Sequence, residues 1–214
     1  MSSNRRRGVI AALEGGGGGG GLPAEYQEVE YLEGDGTGYD IPIYVPLTNL
    51  KMTAKVMAVG GNRDQNFFSN WASGMSNSDY FYYISGTGAT GVFQYRVAGT
   101  FVQSSKTITP EVVFEAEVQM RSGSQSLFID GTSVRTSTYT YSSTVSRGPF
   151  HFLGTGSSNH SRSYGHVCIY DDGNLWAELI PCYRKADGVI GNYEVLSQTF
   201  YPDTNERMTK GPDV

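Results

Sequence analysis

Strict alternation of apolar and polar side chains is the feature that most constrains the fold of this chain. Residues 50–58 place five apolar side chains on one face, with Lys51, Thr53 and Lys55 on the other, and residues 112–121 repeat this pattern. Successive side chains of a β-strand point to opposite faces, so each stretch is predicted to be a strand with one buried and one solvated face. No amphipathic run exceeds about ten residues, so little helix is expected.

Shorter aromatic and β-branched stretches mark further strands. They lie at 80–84, 93–97, 127–129 and 150–153, and turn-forming residues separate them. The pair Asp130-Gly131 is typical of a tight hairpin turn. Many short antiparallel strands with regular turns predict an all-β fold, a two-sheet antiparallel jelly-roll sandwich.

A run of seven glycines divides the chain into three parts. Residues 1–14 form a basic and apolar arm, residues 15–21 are the poly-glycine tether, and residues 22–214 are the predicted β-sandwich. Glycine loses more backbone entropy on ordering than any other residue, so the run cannot hold a fixed shape alone. This organisation favours a domain that is attached to a larger body and displayed by it.

The arm contains the candidate anchoring residues. The guanidinium groups of the arm can bind carboxylates of a partner protein, and its short apolar patch can add a hydrophobic contact. These candidates are Arg5, Arg6, Arg7, Val9, Ile10 and Leu13. The alternative is a disordered tail, which is common at a chain terminus.

Charge and cysteine usage limit the partners and the compartment. The net charge is −5, and the arm holds three arginines and one glutamate (+2), so the remainder carries −7. We therefore expect no nucleic-acid binding by the body. No segment is long enough to cross a membrane, and residues 9–13 are too short for a signal-peptide core.

The two cysteines lie around a predicted hairpin, residues 164–181. Antiparallel pairing across its turn would place Cys168 opposite Ala177 and Cys182 beside Ser163, so the two thiols are not direct partners. We expect both to be reduced, in agreement with folding in a cytoplasm.

Two stretches resemble a known family. The domain opens at Leu22, and its opening stretch contains Glu30-Tyr31-Leu32-Glu33-Gly34-Asp35-Gly36-Thr37-Gly38-Tyr39-Asp40. Its closing stretch starts at Val167 and contains Ile180-Pro181-Cys182, then Gly188-Val189-Ile190-Gly191-Asn192-Tyr193-Glu194 and Phe200-Tyr201. They resemble the concanavalin A-like lectin/glucanase (laminin-G-like) domain of phage and prophage structural proteins from gut bacteria. The resemblance covers residues 22–202. The chain departs from the family at Gly34-Asp35-Gly36, where Ser-Thr-Gly is usual, and at Gly38-Tyr39-Asp40, where Gln-Tyr-Ile is usual.

The resemblance implies a role as well as a fold. It implies a jelly-roll domain displayed on a phage head or tail, made in the cytoplasm of the bacterial host and located in the virion. Its partners would be capsid, portal or tail proteins, bound through the arm, and host or mucosal glycans. The resemblance leaves open whether the protein forms a homo-oligomer. A host-encoded surface lectin is a further alternative, which the missing secretion signal disfavours.

Clustered aromatic residues provide a candidate glycan site. Aromatic rings stack on the apolar face of a pyranose while polar neighbours bind its hydroxyl groups. The densest cluster comprises Asn70, Trp71, Tyr80, Tyr82 and Tyr83.

Hydrolysis is the alternative function. Laminarinase-type members of the family carry Glu-x-Asp-x-x-Glu on one strand, with a nucleophile and an acid about 5 Å apart. Here Glu28 with Glu30 or Glu33 has that spacing, but glutamate replaces the middle aspartate and the flanking tryptophan is absent. The sequence therefore predicts a protein that is not an enzyme.

Metal and cofactor binding are not expected either. The three histidines, His151, His160 and His166, have no recognisable ligand spacing. We predict no cofactor and no metal site.

Overall fold

A computed structural model describes residues 22–44, 49–60, 65–69, 80–85, 91–97, 100–121, 123–138, 149–154 and 160–214. The predicted arm and tether lie outside these ranges. The described residues contain strands, turns and bends but no helix. Accordingly, none of them belongs to a helix that is long and apolar enough to cross a membrane.

The described residues form seventeen strands. In chain order these are β1 (Tyr26–Glu28), β2 (Tyr31–Gly34), β3 (Thr37–Ile41), β4 (Leu50–Ala58), β5 (Gln65–Ser69), β6 (Tyr80–Ser85), β7 (Gly91–Val97), β8 (Thr100–Ile108), β9 (Phe114–Arg121), β10 (Ser124–Ile129), β11 (Thr132–Ser137), β12 (Phe150–Gly154), β13 (Ser161–Asp171), β14 (Asn174–Arg184), β15 (Ile190–Glu194), β16 (Thr199–Pro202) and β17 (Met208–Lys210).

These strands make two sheets, which confirms the predicted all-β sandwich. The large sheet has eleven strands, with the order β11-β10-β9-β4-β13-β14-β15-β16 and with β1, β2 and β17 joined beside β13 and β14. The small sheet has six strands, in the order β3-β12-β5-β6-β7-β8. The alternation predicted for residues 50–58 is confirmed in β4. The strand predicted at residues 112–121 begins later than expected: β9 starts at Phe114, and Val112 before it is 52% exposed.

Aromatic side chains from both sheets fill the core. Phe68, Phe150 and Phe152 of the small sheet are fully buried, and the Phe68 and Phe150 rings stack with centroids 5.6 Å apart. Phe93 of the small sheet meets Phe114 of the large sheet edge to face at 5.7 Å. Burial of each such side chain contributes about 1.5–3 kcal/mol, so this layer holds the two sheets together.

The centre of the large sheet is a hairpin, β13–β14, whose two strands separate. Asp172 and Gly173 form its tight turn, both with positive φ, and the strands pair from that turn to Val167 and Leu179. Beyond this point β2 pairs with the beginning of β13, and β1 pairs with the end of β14. The chain bends at Glu30 between β1 and β2. The β1–β2 segment thus fills the space between the separated strands.

The C-terminal segment is nested inside β1–β2 in the same way. Strand β17 pairs with β2, and Asp213 bridges to Val29. The Glu30 amide donates to the Pro212 carbonyl (2.8 Å), and the Val214 amide donates to the carbonyl of Glu28 (3.1 Å). The hairpin pairs with the β1–β2 segment, and the β1–β2 segment pairs with the C-terminal segment. The beginning of β1 and the C-terminal segment therefore lie at the same end of the sheet.

The observed β13–β14 hairpin differs from the predicted one in the residues that lie opposite the two cysteines. Both are free, as predicted. Cys168 lies opposite Glu178 rather than Ala177, because a bulge at Trp176 shifts the register by one residue. Cys182 lies opposite Glu28 instead of beside Ser163, because β1 stands between the ends of the two hairpin strands.

Glycines allow the chain to pass from the large sheet to the small sheet. A Cβ atom on Gly34 would lie 2.5 Å from the carbonyl oxygen of Leu153, and one on Gly154 would lie 2.5 Å from the amide nitrogen of Gly38. Only glycine permits backbones to approach so closely. The departure of Gly34-Asp35-Gly36 from the family pattern therefore lies where the two sheets are joined.

The nested C-terminal strand generates a stability prediction. Met208 of β17 is 4% exposed and belongs to the core, whereas its neighbour Thr209 is exposed. We expect Met208→Ala to lower the free energy of unfolding by about 2–4 kcal/mol, through the cavity it leaves. Thr209→Ala, the matched control, should change it by less than about 0.5 kcal/mol. Urea denaturation measures both, and equal effects would show that β17 does not close the core.

Candidate functional site

One strand of the large sheet displays a continuous row of polar and aromatic side chains. Alternate residues of β13 turn away from the core, while Ser161, Ser163, Val167 and Ile169 between them are buried. The outward residues are Arg162, Tyr164, His166, Cys168 and Tyr170, and we call them the β13 strip. Its ends lie opposite Met57 and Lys51 of β4, and a bulge lies between Tyr164 and Cys168. At about 3.3 Å per residue of β4, the strip extends for about 20 Å.

The first end of the strip is an arginine between a carboxylate and an aromatic ring. Arg162 lies opposite Glu33, and its Nε donates to Glu33 Oε2 at 2.6 Å. The guanidinium carbon lies 4.6 Å from the centroid of the Tyr31 ring, a cation–π contact. Tyr31 also packs on Tyr164, its register partner, with centroids 5.0 Å apart. His160 Nδ1 reaches the other carboxylate oxygen of Glu33 at 3.1 Å.

Electrostatics keep the ion pair at this end charged. Burial alone would raise the pKa of the Glu33 carboxyl, but hydrogen bonds and charge from Arg162 and His160 outweigh burial and lower that pKa. Burial opposes the charge of Arg162 as well, yet hydrogen bonds to Tyr164 and Glu33 raise the pKa of its guanidinium. The polar groups are therefore ionised and fixed in position beside the tyrosine rings.

The middle of the strip is a histidine held between two carboxylates. His166 Nδ1 lies 2.7 Å from Glu178 Oε1, and its Nε2 lies 3.3 Å from Glu28 Oε1. The Glu178 amide in turn donates to the buried carboxylate of Glu194 at 3.2 Å. This cluster links β1, β13 and β14 across the line where β13 and β14 separate.

The far end of the strip lies at the hairpin turn. The ammonium of Lys51 lies 5.6 Å from the centroid of the Tyr170 ring and forms an ion pair with Glu117 at 3.0 Å. Leu175 lies opposite Tyr170, and Trp176 follows it with 36% exposure. Trp176 is not among the site residues predicted from the sequence. The sequence signal that could have identified it is an aromatic residue two positions after the predicted turn.

The aromatic cluster predicted from the sequence lies elsewhere. Asn70 and Trp71 lie outside the described residues. Tyr80, Tyr82 and Tyr83 belong to β6 of the small sheet, where their register partners on β7 are Arg96, Gln94 and Phe93. The strand is confirmed, and a glycan site there stays a prediction. All the candidate anchoring residues of the arm also lie outside the described residues.

The glutamates of the hydrolase alternative are not arranged on one strand, which corrects the spacing argument. Strand β1 ends at Glu28, Glu30 lies in a bend, and Glu33 belongs to β2. Glu28 contacts His166, and Glu33 is engaged by Arg162. A general acid for glycoside hydrolysis needs a raised pKa. The lowered pKa of Glu33 therefore makes it unsuitable to protonate a leaving oxygen.

The three histidines are dispersed over both sheets. His151 lies on the small sheet, with Nδ1 2.6 Å from Asp40 Oδ1 and Nε2 2.9 Å from the carbonyl oxygen of Thr37. His160 and His166 contact different glutamates of the large sheet. Among the described residues, no group of three or more His, Cys, Asp or Glu side chains could hold a metal ion.

Comparisons with known proteins support the fold but not a family. No protein-family model matches the chain, and no curated protein matches it. Among solved structures, the heptameric SAP-like pentraxin from Limulus polyphemus superposes with a TM-score of 0.51 and 9% identity, covering 86% of this chain and 89% of that one.

Two further structures come from sialidases. The CBM40 module of the Ruminococcus gnavus IT-sialidase, bound to α2,3 sialyllactose, gives a TM-score of 0.50 and 16% identity, covering 68% of this chain and 89% of the module. The leech intramolecular trans-sialidase gives 0.50 and 14%, covering 71% of this chain but 25% of the enzyme. At these identities the likeness shows the fold alone. This chain has the jelly-roll sandwich that the concanavalin A-like resemblance predicted.

Proposed function

We propose that this protein is a non-catalytic glycan-binding module that a phage displays on its virion. The observation that carries the proposal is the β13 strip, where tyrosine rings lie beside ionised groups in fixed positions. Hydroxyl-rich ligands with apolar ring faces need this combination of aromatic surface and convergent hydrogen-bonding groups.

The Tyr31–Arg162 end of the strip is suited to binding a sugar at low entropic cost. The Arg162 side chain is held by Glu33 on one side and by the tyrosine rings on the other. Side chains that are already ordered lose little rotamer freedom when a ligand arrives. Tyr31, Tyr164 and Arg162 are all partly exposed, so a sugar can reach them.

Similar structures support binding rather than hydrolysis. The Ruminococcus gnavus module with this fold is a carbohydrate-binding module and holds sialyllactose. The part of the leech trans-sialidase that this chain matches is a quarter of that enzyme. Glycan binding is accordingly the function we assign to the sandwich, with hydrolysis by Glu28 and Glu30 or Glu33 as the weaker alternative.

The virion part of the proposal rests on the sequence resemblance and on the arm. Residues 1–14 would dock on a capsid, portal or tail protein, through the arginines of residues 5–7 and the apolar patch of residues 9–13. The protein would be made in the cytoplasm of a bacterial host and act on the particle. The first strand of the described residues, β1, begins at Tyr26, after the proposed anchor of residues 1–21.

The glycan proposal predicts that Tyr31→Ala weakens glycan binding at least tenfold, because the variant removes the ring on which Arg162 and Tyr164 pack. Tyr183→Ala is the matched control, since Lys210 lies 4.6 Å from its ring, the distance that separates Arg162 from Tyr31. A glycan array followed by calorimetry measures the affinity, and thermal melting establishes that both variants are folded.

Two outcomes would contradict the glycan proposal. The first is a natural protein that binds no glycan on the array, and the second is a Tyr31→Ala variant that is folded and binds as well as the natural protein. Release of reducing sugar from a bound polysaccharide would instead favour the hydrolase alternative.

The anchoring proposal predicts that deletion of residues 1–21 leaves a folded sandwich that no longer joins the particle. The reason is that the deletion ends before Tyr26 and keeps every strand pairing of the described residues. Quantitative proteomics of purified virions measures incorporation, with replacement of the three arginines at 5–7 by alanine as a finer variant. Normal incorporation of the truncated protein would refute an anchor in the arm.

A further inference from the structure

The β13–β14 turn lies at the opposite end of β14 from the point where the arm joins the sandwich. Strand β14 runs from Asn174 beside the turn to Arg184, which pairs with Tyr26 of β1. Without the bulged Trp176, nine steps of about 3.3 Å separate these ends by about 30 Å. A domain held at its N-terminal end therefore presents this turn away from the body that holds it.

The turn is rigid. Asp172 and Gly173 have φ values of 49° and 80°, as the two-residue turns of tight hairpins require. The Asp172 amide donates to the Asn49 carbonyl (3.1 Å), and Asn49 Nδ2 donates to Asp172 Oδ1 (3.2 Å). Asn174 Nδ2 donates to the Asp172 carbonyl at 3.3 Å. The side chains that follow the turn are thus held on a fixed backbone.

Two large apolar side chains are exposed directly after this turn. Leu175 is 37% exposed and Trp176 is 36% exposed. Trp176 is the extra residue of the bulge opposite Ile169 and Tyr170. Bulges re-aim side chains at the edges of functional sites. An indole that is 36% exposed and lies three positions after Gly173 of a polar turn offers a stacking surface.

The charges at the turn select among sugars. Asp171 and Asp172 place two carboxylates at the turn. Lys51, the cation near Tyr170, is already paired with Glu117 at 3.0 Å. An anionic sugar would meet like charge here, whereas the hydroxyl groups of an uncharged sugar can donate to the carboxylates and accept from the amide of Asn174.

We infer that the β13–β14 turn, with Trp176 as the stacking residue, binds the outermost unit of an uncharged glycan. This inference rests on the proposed glycan-binding function and adds the location and the ligand class. Trp176 stacks on the apolar face of the sugar ring, and Asp171, Asp172 and Asn174 bind its hydroxyl groups. The β13 strip then carries the units that follow.

A glycan array tests this inference when each neutral oligosaccharide is printed beside its sialylated form. We expect the natural protein to bind neutral forms at least tenfold more strongly than their sialylated partners. Trp176→Ala should lose at least tenfold in affinity for the neutral forms. Tyr183→Ala, the matched control, removes an aromatic side chain near the opposite end of the same strand and should bind like the natural protein.

The outcomes separate this inference from the proposed function. Binding of no glycan would refute both. If Trp176→Ala still binds the glycan while Tyr31→Ala does not, the inference is refuted and the β13 strip stays the proposed binding surface. Loss in Tyr183→Ala alone, or a preference for the sialylated forms, would also overturn the inference while glycan binding stands. Because Trp176 is exposed, thermal melting should show an unchanged fold for its variant.

Discussion

The separation of β13 and β14 is the constraint on which the rest of this structure depends. Two paired strands that part leave unpaired backbone groups on both inner edges, and buried backbone groups must find partners. The chain supplies them with β1 and β2, and then with the segment that contains β17. Residues 174 to 184 positions apart in the sequence thereby complete one sheet. Met208 of β17 belongs to the core beneath it.

The same arrangement builds the candidate site and orients it. Tyr31 and Glu33 reach Arg162 because β2 lies against β13, and Glu28 reaches His166 because β1 lies against β14. The β13 strip is thus flanked by side chains of β1 and β2, the first described strands. Its far end lies at a rigid turn about 30 Å from the start of β1, which suits a module held at one end and exposed at the other.

Sequence patterns predicted the parts of the fold that depend on local rules. The alternation of residues 50–58 identified β4, and the turn chemistry of residues 171–174 located the hairpin of β13 and β14. Sequence patterns did not predict the features that depend on pairing between segments far apart in the sequence. The bulge at Trp176 moves the partner of Cys168 by one residue, and no local signal shows that β1 enters between two later strands. The pairing of Arg162 with Glu33, and with it the β13 strip, follows from that long-range event.

Mapping of a bound glycan by NMR tests the central claim, that the outward face of β13 is the binding surface, most directly. The isotopically labelled protein is titrated with a glycan selected on the array, and the shifted backbone amides are assigned. We expect the largest shifts on β2, β13 and the turn between β13 and β14. Shifts confined to the small sheet, around β5 and β6, would contradict it.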